Sequence, residues 1–269
     1  MAPPDHSPLP LQGRTALVTG GSRGIGAASA LSLGALGADV VITYRSDSAA
    51  AATVVDRLQE AGAKASAVAA ELTADSPGQE FVTAARSLHD HYDILVISAP
   101  APFPRVPMPV LDPDALGEKA RMDVAALHRL CLAFVPGMRE RGFGRVIVIS
   151  SGASWGATAP GLAAHGVSKA AMEAYVRYAA TELTGGGVTI NALQLGMVAT
   201  DGSGAVPEAA RKVLAAATPS GHIAEPGDIG AVVGLLARPA SAWITGTAIP
   251  VTGGMNYPLN LDAVLSARP

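Results

Sequence analysis

Between Thr15 and Gly26 the chain reads T-A-L-V-T-G-G-S-R-G-I-G, and these residue types suit one task, the holding of an anion. Thr15 to Thr19 is a β-branched and apolar run fit for a buried parallel strand. Gly20, Gly21 and Ser22 then turn the chain sharply into a helix that opens near Gly24. Glycine serves such a turn twice over. It takes backbone angles barred to residues with a Cβ, and it lets a helix N-terminus come close to a pyrophosphate. The free N–H groups and the positive dipole end of that helix supply the attraction. A glycine turn after a strand is also a common plain connection, so its meaning rests on what surrounds it. The single cysteine, Cys131, excludes an intrachain disulfide. It falls in a helical pattern, where the expected role is a small buried hydrophobe. No metal site is expected.

The elements that would position this turn alternate with regularity. Helical patterns cover Ile25 to Leu36, Ala49 to Ala61, Gln79 to His89, Ala115 to Met138, Leu162 to Leu183 and Asp228 to Ala237. Strand runs cover Asp39 to Thr43, Lys64 to Ala70, Ile94 to Ile97, Arg145 to Ile149, Val188 to Leu193 and Thr247 to Val251. Strands separated by helices of this length imply an α/β fold, a doubly wound parallel sheet of about seven strands with helices on both faces. Successive apolar residues, without alternation, are what burial on both faces requires. In such sheets the ligand sits beyond the C-terminal strand ends, near the switch in strand order. Two segments break the pattern. Pro100 to Pro109 carries five prolines with Phe103 and Met108, so it cannot be a helix or an inner strand and should form a stiff wall over the site. Met197 to Ile223 is small, Gly/Ala-rich and weakly patterned, as suits a mobile lid.

The chain has 269 residues and a formal net charge of −3. That length accommodates one domain with a sizeable core, and that charge gives no case for nucleic acid or an anionic membrane as partner. No run approaches the roughly 18 uninterrupted apolar residues of a membrane span. The proline-rich start lacks the basic and apolar regions of a signal peptide. Residues 1–11 are expected to be a disordered tail, 12–269 one domain, and the compartment the cytoplasm.

Taken together, the order of elements and five separate motifs resemble the short-chain dehydrogenase/reductase family over almost the whole chain. Thr19-Gly20-x-x-x-Gly24-x-Gly26 fits its cofactor turn, with Ser22, Arg23 and Ile25 inside it. Gly144 to Ser151 looks like its catalytic-serine strand, and Ser168-Lys169-Ala170 falls where its helix carries the active-site lysine. Asn191-Ala192, followed by Gly196, Val198 and Thr200, resembles its nicotinamide-side loop. Ile244-Thr245-Gly246 and Val251-Thr252-Gly253-Gly254 resemble its C-terminal strand. The resemblance implies a Rossmann-type architecture, a nicotinamide cofactor, a small-molecule substrate, and a homo-oligomer, dimer or tetramer, formed through the two long helices.

Charge then bears on the cofactor. A site that prefers NAD places a carboxylate after the second strand for the ribose hydroxyls. Here that strand ends Thr43-Tyr44-Arg45-Ser46, with no acid in place. Arg45 and Arg23 are positioned to pair with a 2′-phosphate, which makes NADP(H) the expected cofactor. Glu71-Leu72 stands where the family commonly has an Asp and an apolar residue beside adenine, and Ala99 falls in the turn after the fourth strand.

The catalytic positions depart from the family's pattern. In its usual reduction a tyrosine gives a proton to the carbonyl oxygen, a serine hydrogen-bonds that oxygen, and a lysine lowers the tyrosine's pKa. Ser151 and Lys169 are retained, but counting back four from Lys169 gives His165. The Ser151–His165 interval is one residue longer than the common spacing, so the loop from Trp155 to Gly161 is expected to shift Ser151. The family's relay asparagine aligns with Ala125. Imidazole is a competent acid in principle, yet it reaches about 2 Å less far than a phenol, against a hydrogen bond of ~3 Å. Lys169 one turn away is a like charge that disfavours the imidazolium. Three functions fit this reading. One is a reductase of a small or medium apolar carbonyl, enone or iminium compound that needs little acid assistance. Another is a non-redox cyclase, dehydratase or isomerase using Ser151 and His165. The third is a subunit that binds the cofactor and does no chemistry.

Overall fold

A computed structural model describes residues 9–70, 78–99, 101–156, 159–200 and 208–255. Strands β1 (Thr15–Thr19), β2 (Asp39–Tyr44), β3 (Ala65–Ala69), β4 (Ile94–Ile97), β5 (Gly144–Ser151), β6 (Val188–Leu195) and β7 (Ala248–Val251) form one sheet in the order β3-β2-β1-β4-β5-β6-β7. Every pairing is parallel. From β1 the chain builds outward in one direction through β2 and β3, then returns to start the other half at β4. The switch therefore lies between the C-terminal ends of β1 and β4, where a ligand crevice opens.

Helices α1 (Gly24–Ala35), α2 (Ser48–Glu60), α3 (Gly78–Leu88), α4 (Pro113–Glu140), α5 (Ala163–Glu182), α6 (Glu208–Ala217) and α7 (Pro226–Ala237) complete the described elements. Successive strand residues serve opposite faces. Val18, Ile42, Val96 and Ile147 pack with Leu33, Leu58, Ile229 and Val233 of α1, α2 and α7. Leu17, Val41, Leu95 and Val146 pack with Phe81, Leu127, Phe134 and Val176 of α3, α4 and α5. This two-sided burial is the physical reason for the unbroken apolar strands. Cys131 is 1% exposed within the second core, and burial pushes its thiol up to about 12. Among the described residues no helix is long and apolar enough to cross a membrane.

Two expectations need correction. The segment read as a weakly patterned lid contains α6, which buries Ala210 and Leu214 on one side. Alanine's high helix propensity is what the Gly/Ala-rich reading undervalued there. The proline-rich wall is irregular from residue 101 on, yet its last two residues, Met108 and Pro109, wind with Val110 into a 3-10 turn, Met108–Val110. Pro109 sits at the start of that turn, where its missing N–H is not needed. Residues 1–8 of the proline-rich tail lie outside the described residues; Leu11 is fully buried, and its N–H donates to Leu36 O.

Helix α1 lies against α7 with backbone in close approach. A Cβ added at Gly230 would stand 2.6 Å from Ala28 O. Gly230→Ala is expected to cost about 1–3 kcal/mol, read as a lowered urea midpoint with an unchanged slope.

Candidate active site

The glycine turn stands at the switch point and is shaped from both sides. Gly20 and Gly24 adopt φ of +64° and +54°, the left-handed region. A Cβ at Gly26 would run into Gly20 O, and one at Gly20 would lie 3.2 Å from Ala99 Cα. Thr19 Oγ1 accepts from the N–H groups of Ser98 and Ala99 at 2.9 and 3.2 Å, tying β1 to the exit of β4. Gly21 N–H donates to Thr43 O at 2.9 Å, and Gly20 N–H to Thr43 Oγ1 at 3.3 Å. Arg23 is the extended N-cap of α1, yet no side chain caps the helix and its first turn holds no acid. The opening N–H groups of α1 are thus left for an external acceptor, as an anion cradle requires. Ile25 anchors the first turn, packing against the core while its carbonyl accepts from Ser29 Oγ.

The loop after β6 closes the cradle. Gly196 N–H donates to Val251 O at 3.1 Å, Val198 is bridged to Ala224, and Thr200 Cγ2 lies 3.4 Å from a Cβ built on Gly24. Ser22, Arg23, Gly24 and Thr200 line a cleft of about 840 Å³ that runs on between α2 and α7. Of the expected cofactor residues, Gly20, Ser22 to Gly26, Ala99, Gly196, Val198 and Thr200 are therefore brought together. Glu71 and Leu72 lie outside the described residues, as does Pro100.

The two arginines differ. Arg45 is exposed and bonds to no described residue. Arg23 pairs with Asp47 Oδ2 at 2.9 Å, both side chains half exposed. Asp47 also caps α2, its Oδ1 accepting from Ala50 N–H at 2.9 Å. Sequence reasoning missed this carboxylate because it stands beyond the strand end; the Asp preceding an alanine-rich helix was the signal that could have found it.

Ser151, Lys169 and His165 are also assembled. Ser151 remains the last residue of β5, in register with Leu195, so the longer interval to His165 does not displace it from the strand end. Its Oγ accepts from Ala153 N–H at 3.2 Å, leaving its own proton to donate. A Cβ at Gly166 would lie 2.6 Å from Ala153 O, which sets the first turn of α5, and His165 with it, against the turn after Ser151. Lys169 Nζ donates to Ile149 O at 2.8 Å. Behind them Glu173 accepts from Ser150 Oγ and Ser154 Oγ at 2.5 and 2.6 Å, and from Gln194 Nε2 at 2.9 Å.

Helix α4 contributes an unexpected pair. The residue it bonds into the site is Asp123, two positions before the Ala125 that the resemblance pointed to. Lys119 and Asp123 are nearly unexposed and joined at 2.6 Å, one turn apart. Asp123 Oδ2 also accepts from Ser168 Oγ at 2.6 Å. Ala101 is clamped on both sides, its N–H donating to Asp123 Oδ1 at 2.8 Å and its carbonyl accepting from Lys119 Nζ at 2.7 Å. The proline-rich wall is thereby fixed to α4. Phe103 of that wall stacks on His165 with centroids 5.0 Å apart and planes 22° from parallel.

These charges decide the state of the histidine. Burial first, then Lys169 and Lys119, lower His165 to about 4, with Asp123 opposing. Its Nδ1 is buried without a hydrogen-bond partner among the described residues. Burial, with Lys119 beside it, brings Lys169 down to about 8, while Asp123 and Glu173 favour its charged form. Burial pushes the Asp123 carboxyl up, but Lys169, Lys119 and Ser168 together hold it below the usual range. At neutral pH the site holds a neutral imidazole among ammonium groups. Its donors are Ser151 and Lys169, and no described group forms a metal-ligand cluster.

Known proteins resemble this chain across its length. The family described as "Enoyl-(Acyl carrier protein) reductase" matches residues 20–256. An Arabidopsis thaliana protein called NADPH-dependent aldehyde reductase-like is 35% identical over 260 residues, covering 92% of this chain and 96% of that one. A Serratia marcescens short-chain dehydrogenase/reductase superposes with a TM-score of 0.83 at 31% identity, over 91% of this chain and 98% of that one. A 3-oxoacyl (acyl-carrier-protein) reductase from Agrobacterium tumefaciens, solved with NADP bound, gives 0.84 at 29% identity, over 92% and 96%.

Two outcomes follow from the charges. The His165 imidazole resonance is expected to stay at its neutral position through pH 7 and to move only near pH 4. Between its ordinary value near 6.5 and about 4, the unfolded chain binds a proton that the folded one refuses. Stability is therefore lost as pH falls through that window, and His165→Phe should remove that part of the acid limb. Lys119→Met, which strands a buried carboxylate, is expected to cost about 3–5 kcal/mol in urea denaturation. Lys119→Met with Asp123→Asn should recover most of it.

Proposed function

Because the chain belongs to the short-chain dehydrogenase/reductase family, we propose that it is an NADPH-dependent reductase of a small or medium carbonyl, enone or iminium compound that needs little proton assistance at oxygen. The observation that carries this reading is the neutral His165 standing in place of the family's phenol, beside a retained Ser151 and Lys169. The bound nicotinamide supplies the hydride. Ser151, whose hydroxyl proton is uncommitted, donates to the substrate oxygen. Lys169, held by Ile149 O, has protons left for a ribose hydroxyl and keeps a positive charge beneath the site. Hydride transfer to an iminium carbon gives a neutral amine and needs no acid, so the lost phenol matters least there. With a carbonyl or an enone, the alkoxide or enolate that forms is held by the Ser151 hydrogen bond and takes its proton from solvent.

The preference for the 2′-phosphate rests on Arg23 and Arg45. Arg23 gives up only an exposed ion pair with Asp47, worth about 0–1 kcal/mol, for a stronger guanidinium–phosphate contact. The names of the Arabidopsis relative and of the NADP-bound Agrobacterium structure support the same choice. A non-redox reaction would use the neutral imidazole of His165 as a base. A group lowered to about 4 is a weak base, which favours the reductase. Exposed Leu132, Val167 and Tyr178 along α4 and α5 support self-association of this chain through those helices.

Calorimetric titration should show NADPH binding, weakened about tenfold by Arg23→Ala or Arg45→Ala with NADH little affected. Simple ketones should be reduced slowly by the natural protein and faster by His165→Tyr. Rapid NADPH consumption with simple ketones, or no heat with NADPH, would reject the proposal.

A further inference from the structure

We propose that the substrate carries a carboxylate, and that Arg105 on the wall after β4 holds it, one aromatic ring away from His165. This rests on the reductase reading for what the pocket does, and on the wall after β4 for where the carboxylate sits.

The wall is built, not loose. Ala101 is held at both its backbone groups by the Lys119–Asp123 pair. Further on, a Cβ at Gly161 would lie 3.3 Å from the carbonyl carbon of Arg105 and from Val106 N, so the wall leans on the chain entering α5. Between these two supports Phe103 covers the imidazole, and the Arg105 guanidinium carbon lies 6.0 Å from the Phe103 ring centre. Arg105 is near enough to count among the charges that keep His165 neutral.

The charges around the imidazole do not balance. Lys119, Lys169 and Arg105 face it against Asp123. Asp123 is taken up by Lys119, Ser168 and the Ala101 N–H. Glu173 is taken up by two serines and Gln194. Arg105 is exposed and makes no ion pair with any described residue. An exposed guanidinium on this wall, with an aromatic ring between it and the imidazole, is a two-pronged donor for a planar acid. The cofactor's phosphates do not compete for it, because the glycine turn and Arg23 gather them at the cleft that α1, α2 and α7 enclose. A carboxylate fits better than a phosphate, since the other two cations are buried and engaged and one guanidinium matches one charge. The substrate class is thus a carbonyl compound with an apolar middle that packs on Phe103 and an acid group at the far end.

The test compares para-carboxybenzaldehyde with its methyl ester, each titrated into the NADPH-saturated protein. The acid should bind about fivefold or more tightly than the ester, with an advantage that shrinks as salt rises. Arg105→Gln should abolish the advantage and leave NADPH affinity unchanged, whereas Arg105→Lys should retain part of it. Equal binding of acid and ester, or an advantage that survives in Arg105→Gln, would overturn the assignment. If the acid binds through Arg105 but no NADPH is consumed, the reductase reading falls and the carboxylate site stands.

Discussion

One buried carboxylate organises the chemistry of this protein. Asp123 is shared between Lys119, Ser168 and the backbone of Ala101, and it lies in the field of Lys169. A charge removed from water this far survives only if donors and a counter-charge meet it, and here both oxygens are hydrogen-bonded, one of them to an ammonium. The same contacts dock the wall after β4 onto α4, place Phe103 on His165, and leave the ammonium groups unbalanced around the imidazole. The neutral histidine and the excess of positive charge around it follow from that one arrangement.

The fold around it follows from two simpler constraints. Strands buried on both faces must be apolar at every position, and a sheet wound in two directions opens a crevice where its halves part. The glycine turn occupies that crevice because only a side chain without a Cβ permits Gly26 to sit beneath Gly20 O. Cradle and catalytic groups lie at the same end of the sheet, since both hang from the C-terminal ends of β1, β4, β5 and β6.

Much of this was legible in the residues alone, wherever the signal was local. The strand runs, the glycine turn, and the four-residue step from His165 to Lys169 are read directly along the chain. What escaped was non-local. Lys119 and Asp123 look like an ordinary solvent-facing helix pair until the wall docks over them. Asp47 looks like a plain helix cap until Arg23 arrives from the start of the neighbouring helix α1. Helix α6 was hidden for a different reason: it is a short amphipathic stretch, and the Gly-rich residues before it masked its pattern. Ser151 kept its place despite the longer loop because its register with Leu195 is set by strand pairing, not by the connection that follows.

Asp47 has one oxygen on the start of α2 and the other on Arg23. If a cofactor phosphate drew that guanidinium away, the carboxylate's charge would be left to the amides it caps, where the helix dipole favours it. Arrival of the coenzyme should therefore tighten α2, so that the second helix registers whether the adenosine half of the site is filled.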